Sequence, residues 1–379
     1  MKRAYLDNAA TTPMAKEVIE AMMPYMTEYC GNPSSVHSYG RTAKNAIEQA
    51  RRCVANHLNV HPHEIYFTSG GTEADNMALN CAINDLGVTR IITSAIEHHA
   101  VIYTAEHLAK RKNIELVLLN LTPQGSIDIN HLELLLKENK PTLVSLMHAN
   151  NEIGNLISLH EIGNLCKKYN AYFHSDTVQT MGHYRFNLKE TPIDFIACSA
   201  HKFHGPKGVG FLYVNKNVKI NPIQFGGTQE RNMRGGTENI YGIVGLAKAM
   251  DLAYEDLEEH QHHIQGLKDY MKETLKNTFH DVEFNGEQLP EKSLYTVLSV
   301  RFKNIENKST FLFGLDLKGV AVSSGSACSS GSNKESHVLS ALNLNSNFTA
   351  VRFSFSRYTT KEEIDFAVNA LKELVPVTA

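Results

Sequence analysis

An α/β fold, with a mostly parallel sheet covered by helices on both faces and followed by a smaller α+β domain, is what this sequence predicts. Two observations carry the expectation. Between Glu64 and Val214, short apolar runs of strand length alternate with stretches of helical periodicity, the pattern of a sheet buried on both sides. Past Glu258 the texture changes to strands and helices in a less regular order. The length agrees, since 379 residues exceed the roughly 250–300 at which a single core stops growing. The expected layout is an N-terminal segment, 1–14, packing with the small domain, a large domain, 15–258, and a small domain, 259–379.

Each element has its own warrant. Ala15–Tyr29 has helical apolar spacing through Val18, Met22 and Met26, and the turn-rich GNPSSVH separates it from a second helix over Thr42–Leu58. Ala43, Ile47, Ala50, Val54 and Leu58 share one side of that second helix. An apolar strand then runs into Ser69-Gly70-Gly71-Thr72, and Glu73–Leu86 reads as helix. The alternation continues as RIITSA with a helix over Val101–Lys110, IELVLLNL with Leu132–Glu138, TLVSLMHA with Leu159–Lys168, and the strands AYFHSD, DFIACSA and GVGFLYV. A long loop, Phe225–Asn239, holds Arg231, Arg234 and four glycines ahead of a helix over Ile240–Leu257. Glu255–His263 reads as a long connecting helix into the small domain, which is built from YTVLSVRF, Thr310–Leu317, VAVSS, a helix near His337–Leu342, AVRFSFS and Lys361–Leu374.

Composition excludes several classes of protein. Charged residues make up 20%, apolar residues 42%, and the net charge is −3, which argues against disorder and leaves no nucleic-acid footprint. No window reaches the roughly 18 apolar residues of a membrane span, and Asp7 and Asn8 stand where a signal peptide would be apolar; a cytoplasmic protein is expected. The six cysteines have no CxxC or metal-type spacing. Five of them, Cys30, Cys53, Cys81, Cys166 and Cys198, are expected to be small buried hydrophobes. HQHH at His260–His263 reads as a solvated helix face.

The chemistry concentrates at strand ends. Lys202 follows the buried run Ile193–Cys198 within SAHKFHGPKGVG, and Asp176 ends AYFHSD. A strand-end lysine is ordinarily a surface residue and a strand-end Asp ordinarily a cap or turn. On parallel neighbours, however, amine and acid project into one crevice at the carboxyl ends of the sheet. That pair fits pyridoxal phosphate, whose aldehyde takes a lysine and whose ring nitrogen takes an acid. Ser69–Thr72 at a helix start reads as a phosphate cup, since glycines admit close approach and free amides attract anions. Glu97-His98-His99 and His148-Ala149-Asn150-Asn151-Glu152 add polar groups to the same edge. Ser323–Ser332, SSGSACSSGS, reads as a loop carrying one thiol, Cys328. Arg352, inside AVRFSFS, suits a substrate carboxylate.

Ten ordered strings, YLDNAATTP, GNPSSVH, FTSGGTEADN, EHHAV, NNEIG, HSDTVQ, SAHKFHGPKGVG, MRGGTEN, SSGSACSSGS and VRFSFSRYTT, resemble those of the NifS/IscS-type cysteine desulfurases, in the class V aminotransferase group of pyridoxal phosphate enzymes. The resemblance covers almost the whole chain. It implies the fold type I architecture with a seven-stranded-type sheet, a homodimer, and the conversion of L-cysteine to L-alanine with sulfur carried as a persulfide on Cys328. It assigns Lys202 to the cofactor aldehyde, Asp176 to the ring nitrogen, Gln179 to the ring hydroxyl, and His98 to stacking and proton movement. Gly71, Thr72, Ser199 and His201 fall to the phosphate, Thr237 to the phosphate of the other subunit, and Asn32, Asn151 and Arg352 to the substrate. Whether His98 or another base takes the substrate thiol proton stays open. The sulfur acceptor, an iron–sulfur scaffold or a tRNA thiouridylase, also stays open. No metal is expected. Selenocysteine lyase, or another fold type I lyase or aminotransferase, is the alternative on the same fold, and a scaffold without chemistry the alternative from another class; the thiol of Cys328 favours the desulfurase over the first, Lys202, His98, Asp176 and Cys328 together argue against the second, and the preference between cysteine and selenocysteine stays open.

Overall fold

The structure, a computed structural model, describes residues 3–303, 305, 308–324, 336–343 and 348–376. Cys328, with the rest of 325–335, lies outside them. In chain order the elements are β1 (Ala4–Tyr5), α1 (Lys16–Thr27), α2 (Ser38–Leu58), β2 (Ile65–Thr68), α3 (Gly71–Asp85), β3 (Arg90–Thr93), α4 (His99–Lys112), β4 (Glu115–Leu118), α5 (Ile129–Leu136), β5 (Thr142–Ser145), α6 (Leu159–Lys168), β6 (Tyr172–Asp176), β7 (Phe195–Ser199) and β8 (Gly210–Val214). They are followed by α7 (Ile240–Glu255), α8 (Leu257–Thr278), β9 (Val282–Phe284), β10 (Val297–Lys303), α9 (Phe311–Leu317), β11 (Val320–Ala321), α10 (His337–Ala341), β12 (Phe348–Ser354) and α11 (Lys361–Lys372).

Seven strands form one sheet in the order β2-β8-β7-β6-β5-β3-β4. Only β8 opposes its neighbours; β7, β6, β5, β3 and β4 pair in parallel. Successive side chains of a strand point to opposite faces, and the cores divide accordingly. Ile92, Val144, Ile196, Cys198, Phe211 and Tyr213 pack with α2, α6 and α7, whereas Ile91, Leu143, Phe195, Ala197, Leu212 and Val214 pack under α3 and α4. Burial on both faces explains why these strands read as unbroken apolar runs rather than alternating ones.

A third core joins α8, α11, β10 and β12 with Ala4 and Leu6 of the N-terminal segment. There β12-β10-β9 is an antiparallel sheet, and β1 pairs in parallel with β11. The segment after β1 is tied down by the Asn8 amide, which donates to Ser354 O (2.9 Å), and by the Ala9 N–H, which donates to Ser354 Oγ (2.9 Å). The helical pattern expected to run on past Leu257 is broken: Asp256 at φ −117°, ψ 38° separates α7 from α8.

Candidate active site

The carboxyl ends of β2, β3, β5, β6 and β7 converge on a cavity of about 220 Å³. Gly71, Thr72, His98, Asn151, Asp176, Gln179, Ser199, His201, Lys202 and Arg352 all line it, from six separate stretches of chain. Larger cavities exist, such as one of about 360 Å³ between Ser94, Gly125 and Lys292, but Lys202, Asp176 and the start of α3 meet in this one.

Each wall has a local cause. The α3 helix begins at Gly71, two residues before the expected Glu73, and its N-cap, Gly70, provides no side-chain hydrogen bond. The first amides therefore have no side-chain partner and face the cavity with the positive end of the helix dipole. Gly70 sits at φ 150°, and a Cβ on Gly71 would lie 2.5 Å from Val178 Cγ2; only glycine lets the helix start come this close to the turn after β6. Arg234 donates to Glu73 Oε1 (2.8 Å), and Glu73 accepts the Ser69 N–H (2.8 Å). The pair braces the glycine loop from behind.

Asp176 closes β6 and accepts the Val178 N–H at 2.8 Å. Burial pushes its carboxyl up, opposed by His98, the Val178 N–H and Lys202. His98 is the N-cap of α4, where its Nδ1 accepts the Ala100 N–H (3.2 Å), so the ring is fixed by the backbone it starts. Burial lowers its pKa, favouring the neutral imidazole. His201 is pushed down to about 4, by burial first and then by Lys202 and Lys207, and its Nδ1 lies 3.1 Å from Thr11 Oγ1.

Lys202 Nζ donates to Ala9 O (2.5 Å) and Ala10 O (2.9 Å), and the Gln179 amide also donates to Ala9 O (3.0 Å). The N-terminal segment thus positions both. Arg352 is 2% exposed; it donates to Asn151 O and to Asp7 Oδ1, each at 2.8 Å, while its Nε has no hydrogen-bond partner among the described residues. A buried guanidinium with donor capacity left over, next to the Asn151 side chain in the same cavity, is a carboxylate receptor.

Two expected residues lie elsewhere within the chain. Thr237 lines a separate cavity of about 160 Å³ with Ser69, Gly208 and Arg234. Asn32 is exposed, its Oδ1 accepting the Ser34 N–H (2.9 Å). Cys328 lies outside the described residues. The cysteine expectation needs correction at two positions: Cys30 is exposed, and Cys53 is half-buried in a polar contact with Asp251.

The structure adds residues that sequence reasoning missed. Asp75, one turn into α3, lines the cavity and is 1% exposed. Burial, then Asp176 and Glu97, hold its carboxyl well above the usual range. Its Oδ1 lies 3.3 Å from Nε2 of His174, whose Nδ1 is 2.8 Å from Ser145 Oγ and whose pKa burial pushes down to about 3. Glu97 accepts from Ser94 Oγ (2.8 Å) and from the Met147 N–H (2.9 Å); burial above all pushes it up to about 8. Burial thus favours the protonated form of both Asp75 and Glu97, whereas at Asp176 the rise from burial is opposed by His98, the Val178 N–H and Lys202. The signal for Asp75 was its register: it stands three and seven residues before the buried Ala78 and Ala82, on the apolar face of α3.

Uncapped amides, a cradle that a Cβ would fill and a buried acid opposite a lysine fit pyridoxal phosphate. The comparisons agree. Residues 4–366 match the family Aminotransferase class-V. Cysteine desulfurase IscS of Dictyoglomus turgidum is 43% identical over 380 residues, covering 99% of this chain and 95% of the relative. A solved NifS-like protein superposes with a TM-score of 0.90 at 37% identity over 98% of this chain and 99% of that one. A structure described as SspA in complex with cysteine follows with a TM-score of 0.81 at 32% identity, over 94% and 100%. Likeness of this extent reaches through both the sheet and the cavity, and on it the chain belongs to the class V aminotransferases and, within them, to the NifS/IscS-type cysteine desulfurases.

Proposed function

We propose that the protein is a pyridoxal phosphate-dependent L-cysteine desulfurase, which moves the sulfur of L-cysteine to the thiol of Cys328 and releases L-alanine. The observation that carries this reading is the convergence of Lys202, Asp176 and the α3 amides on one cavity that Arg352 also lines, in a chain with full-length relatives named for this activity.

When bound, the cofactor supplies an electron sink for the bonds at the substrate Cα. The α3 amides at Gly71 and Thr72, with Ser199 and His201, would hold its phosphate; Asp176 would face the ring nitrogen and Gln179 the ring hydroxyl. Arg352 and Asn151 bind and orient the substrate carboxylate, and the buried guanidinium excludes water from that side. Lys202 takes the proton from the substrate Cα. Its present carbonyl partners, Ala9 and Ala10, keep the amine at the cavity wall. The His98 imidazole, neutral through burial, is ready to accept the proton of the substrate thiol. The Cys328 thiolate then attacks the substrate sulfur. A sulfur–sulfur bond forms, the carbon–sulfur bond breaks, and cysteine plus thiol gives alanine plus persulfide with no outside oxidant or reductant.

The finer assignments belong to the same proposal. A homodimer would bring Thr237 to the phosphate of a second copy, with Asn32 serving the substrate; α1 leaves Ile19, Met23 and Met26 exposed in a stripe, as an interface would. Residues 15–258 act as the cofactor domain and 259–379 as the small domain, with 1–14 packed on the latter. The acceptor is a protein of iron–sulfur cluster assembly or of tRNA thiolation, in the cytoplasm. No helix among the described residues is long and apolar enough to cross a membrane. The test is mass spectrometry of the holoenzyme after L-cysteine under non-reducing conditions. One extra sulfur on the Cys328 peptide is expected; sulfur on another cysteine, or none while alanine accumulates, would overturn the carrier assignment.

A further inference from the structure

Away from the cavity, the contact between α2 and α7 carries a second set of reactive side chains. Cys53 and His57 are four residues apart on α2 and share a face, and Asp251 reaches them from α7. One carboxylate oxygen, Asp251 Oδ1, lies 3.0 Å from Cys53 Sγ and 2.7 Å from His57 Nε2, and the three donor atoms all lie within 4.8 Å of one another. The set is rigid on one side. The His57 ring stacks on Tyr254 (4.9 Å, 29°), and Cys53 Sγ also touches Ala247 O at 3.6 Å. It is adjustable on the other, because the Asp251 side chain is 53% exposed.

We propose that Cys53, His57 and Asp251 bind one borderline-soft divalent cation, with zinc as the reference ion. Bond lengths of about 2.0–2.3 Å to sulfur, nitrogen and oxygen in a tetrahedron separate donor atoms by about 3.3–3.6 Å. The two contacts to Asp251 therefore need to open by only about 0.6 Å, within the reach of a rotation of that exposed side chain. Charge also closes: thiolate, carboxylate and neutral imidazole balance a divalent ion, so the half-buried helix contact takes up no net charge. The mixed sulfur, nitrogen and oxygen set selects zinc-like ions over magnesium or calcium, which take oxygen. The fourth position opens to water on the side of Asp251.

Proton linkage gives the site a signature. A thiolate and not a thiol is the ligand, so the ion displaces the Cys53 proton, releases it to solvent, and binds more tightly as pH rises.

The test uses the full-length holoenzyme carrying Cys328→Ser, so that the persulfide thiol does not compete. Zinc is titrated by calorimetry in buffers of differing ionisation heat, with and without Cys53→Ser or His57→Gln. In the parent, one zinc per chain and about one proton released are expected, and in each variant at least the 10-fold weakening that even outer partners of a metal site cause. Protection of Cys53 from alkylation by zinc is a second readout. Melts in chelator establish that the variants fold. Equal zinc affinity in parent and variants, or no zinc uptake by the parent at pH 8, would overturn the site.

Discussion

Replacing Gly71 by alanine tests the cofactor cradle without changing any charged group. The backbone of Gly71 is not left-handed, and alanine is the better helix former, so any loss comes from the added methyl. That Cβ lands 2.5 Å from Val178 Cγ2, where carbon atoms prefer about 3.5–4.0 Å. Val178 has little room to retreat, because its N–H is bonded to Asp176 Oδ1. Relief therefore comes from moving either the α3 amides or the residue facing the ring nitrogen. Overpacking of this kind costs about 1–3 kcal/mol, and at 1.4 kcal/mol per decade cofactor affinity should fall by roughly 5- to 140-fold. Titrating apoenzyme with pyridoxal phosphate by visible absorbance measures it. Val178→Ala in the same chain removes the clashing methyl and should restore most of the affinity. Wild-type affinity in Gly71→Ala, or no rescue by the second change, would refute the cradle.

Further outcomes follow from other residues. Lys202→Ala should lose the visible band of lysine-bound cofactor, which a spectrum reads directly, and Cys328→Ala should keep that band while losing persulfide formation. Arg352→Lys keeps the charge but not the fork, and should raise KM for L-cysteine at least about 10-fold, the loss of one charge-assisted bond, while cofactor titration is unchanged. Glu97, pushed up to about 8 in the fold against an ordinary 4.5 or so, favours the folded state most when protonated. Its contribution is complete below about 4.5 and is lost as pH rises toward 8. Melts of the apoenzyme should show Glu97→Gln gaining on wild type across that window and no further above it.

The parallel sheet was legible because strands buried on both faces leave long apolar runs, and the cavity because polar groups interrupt those runs at one end. Lys202, Asp176, His98 and Asn151 all follow apolar stretches, and the chain topology puts all four at the same edge. Other features left little or no local trace. The break at Asp256 falls inside a stretch of unbroken helical composition. Asp75 left only its register with Ala78 and Ala82, whose meaning depends on what α3 packs against. His174 hides within a buried strand, two residues before Asp176 and on the same face. The triad of Cys53, His57 and Asp251 spans nearly 200 positions, so only the packing of α2 on α7 brings it together.

Product stoichiometry tests the conversion of L-cysteine to L-alanine most directly. Holoenzyme is given L-cysteine with a thiol reductant, the visible spectrum is followed, and alanine and sulfide are assayed in the same tube. A shift of the cofactor band with alanine and sulfide formed in equal amounts is the predicted result. Pyruvate in place of alanine, or a spectrum that L-cysteine leaves unchanged, would contradict it.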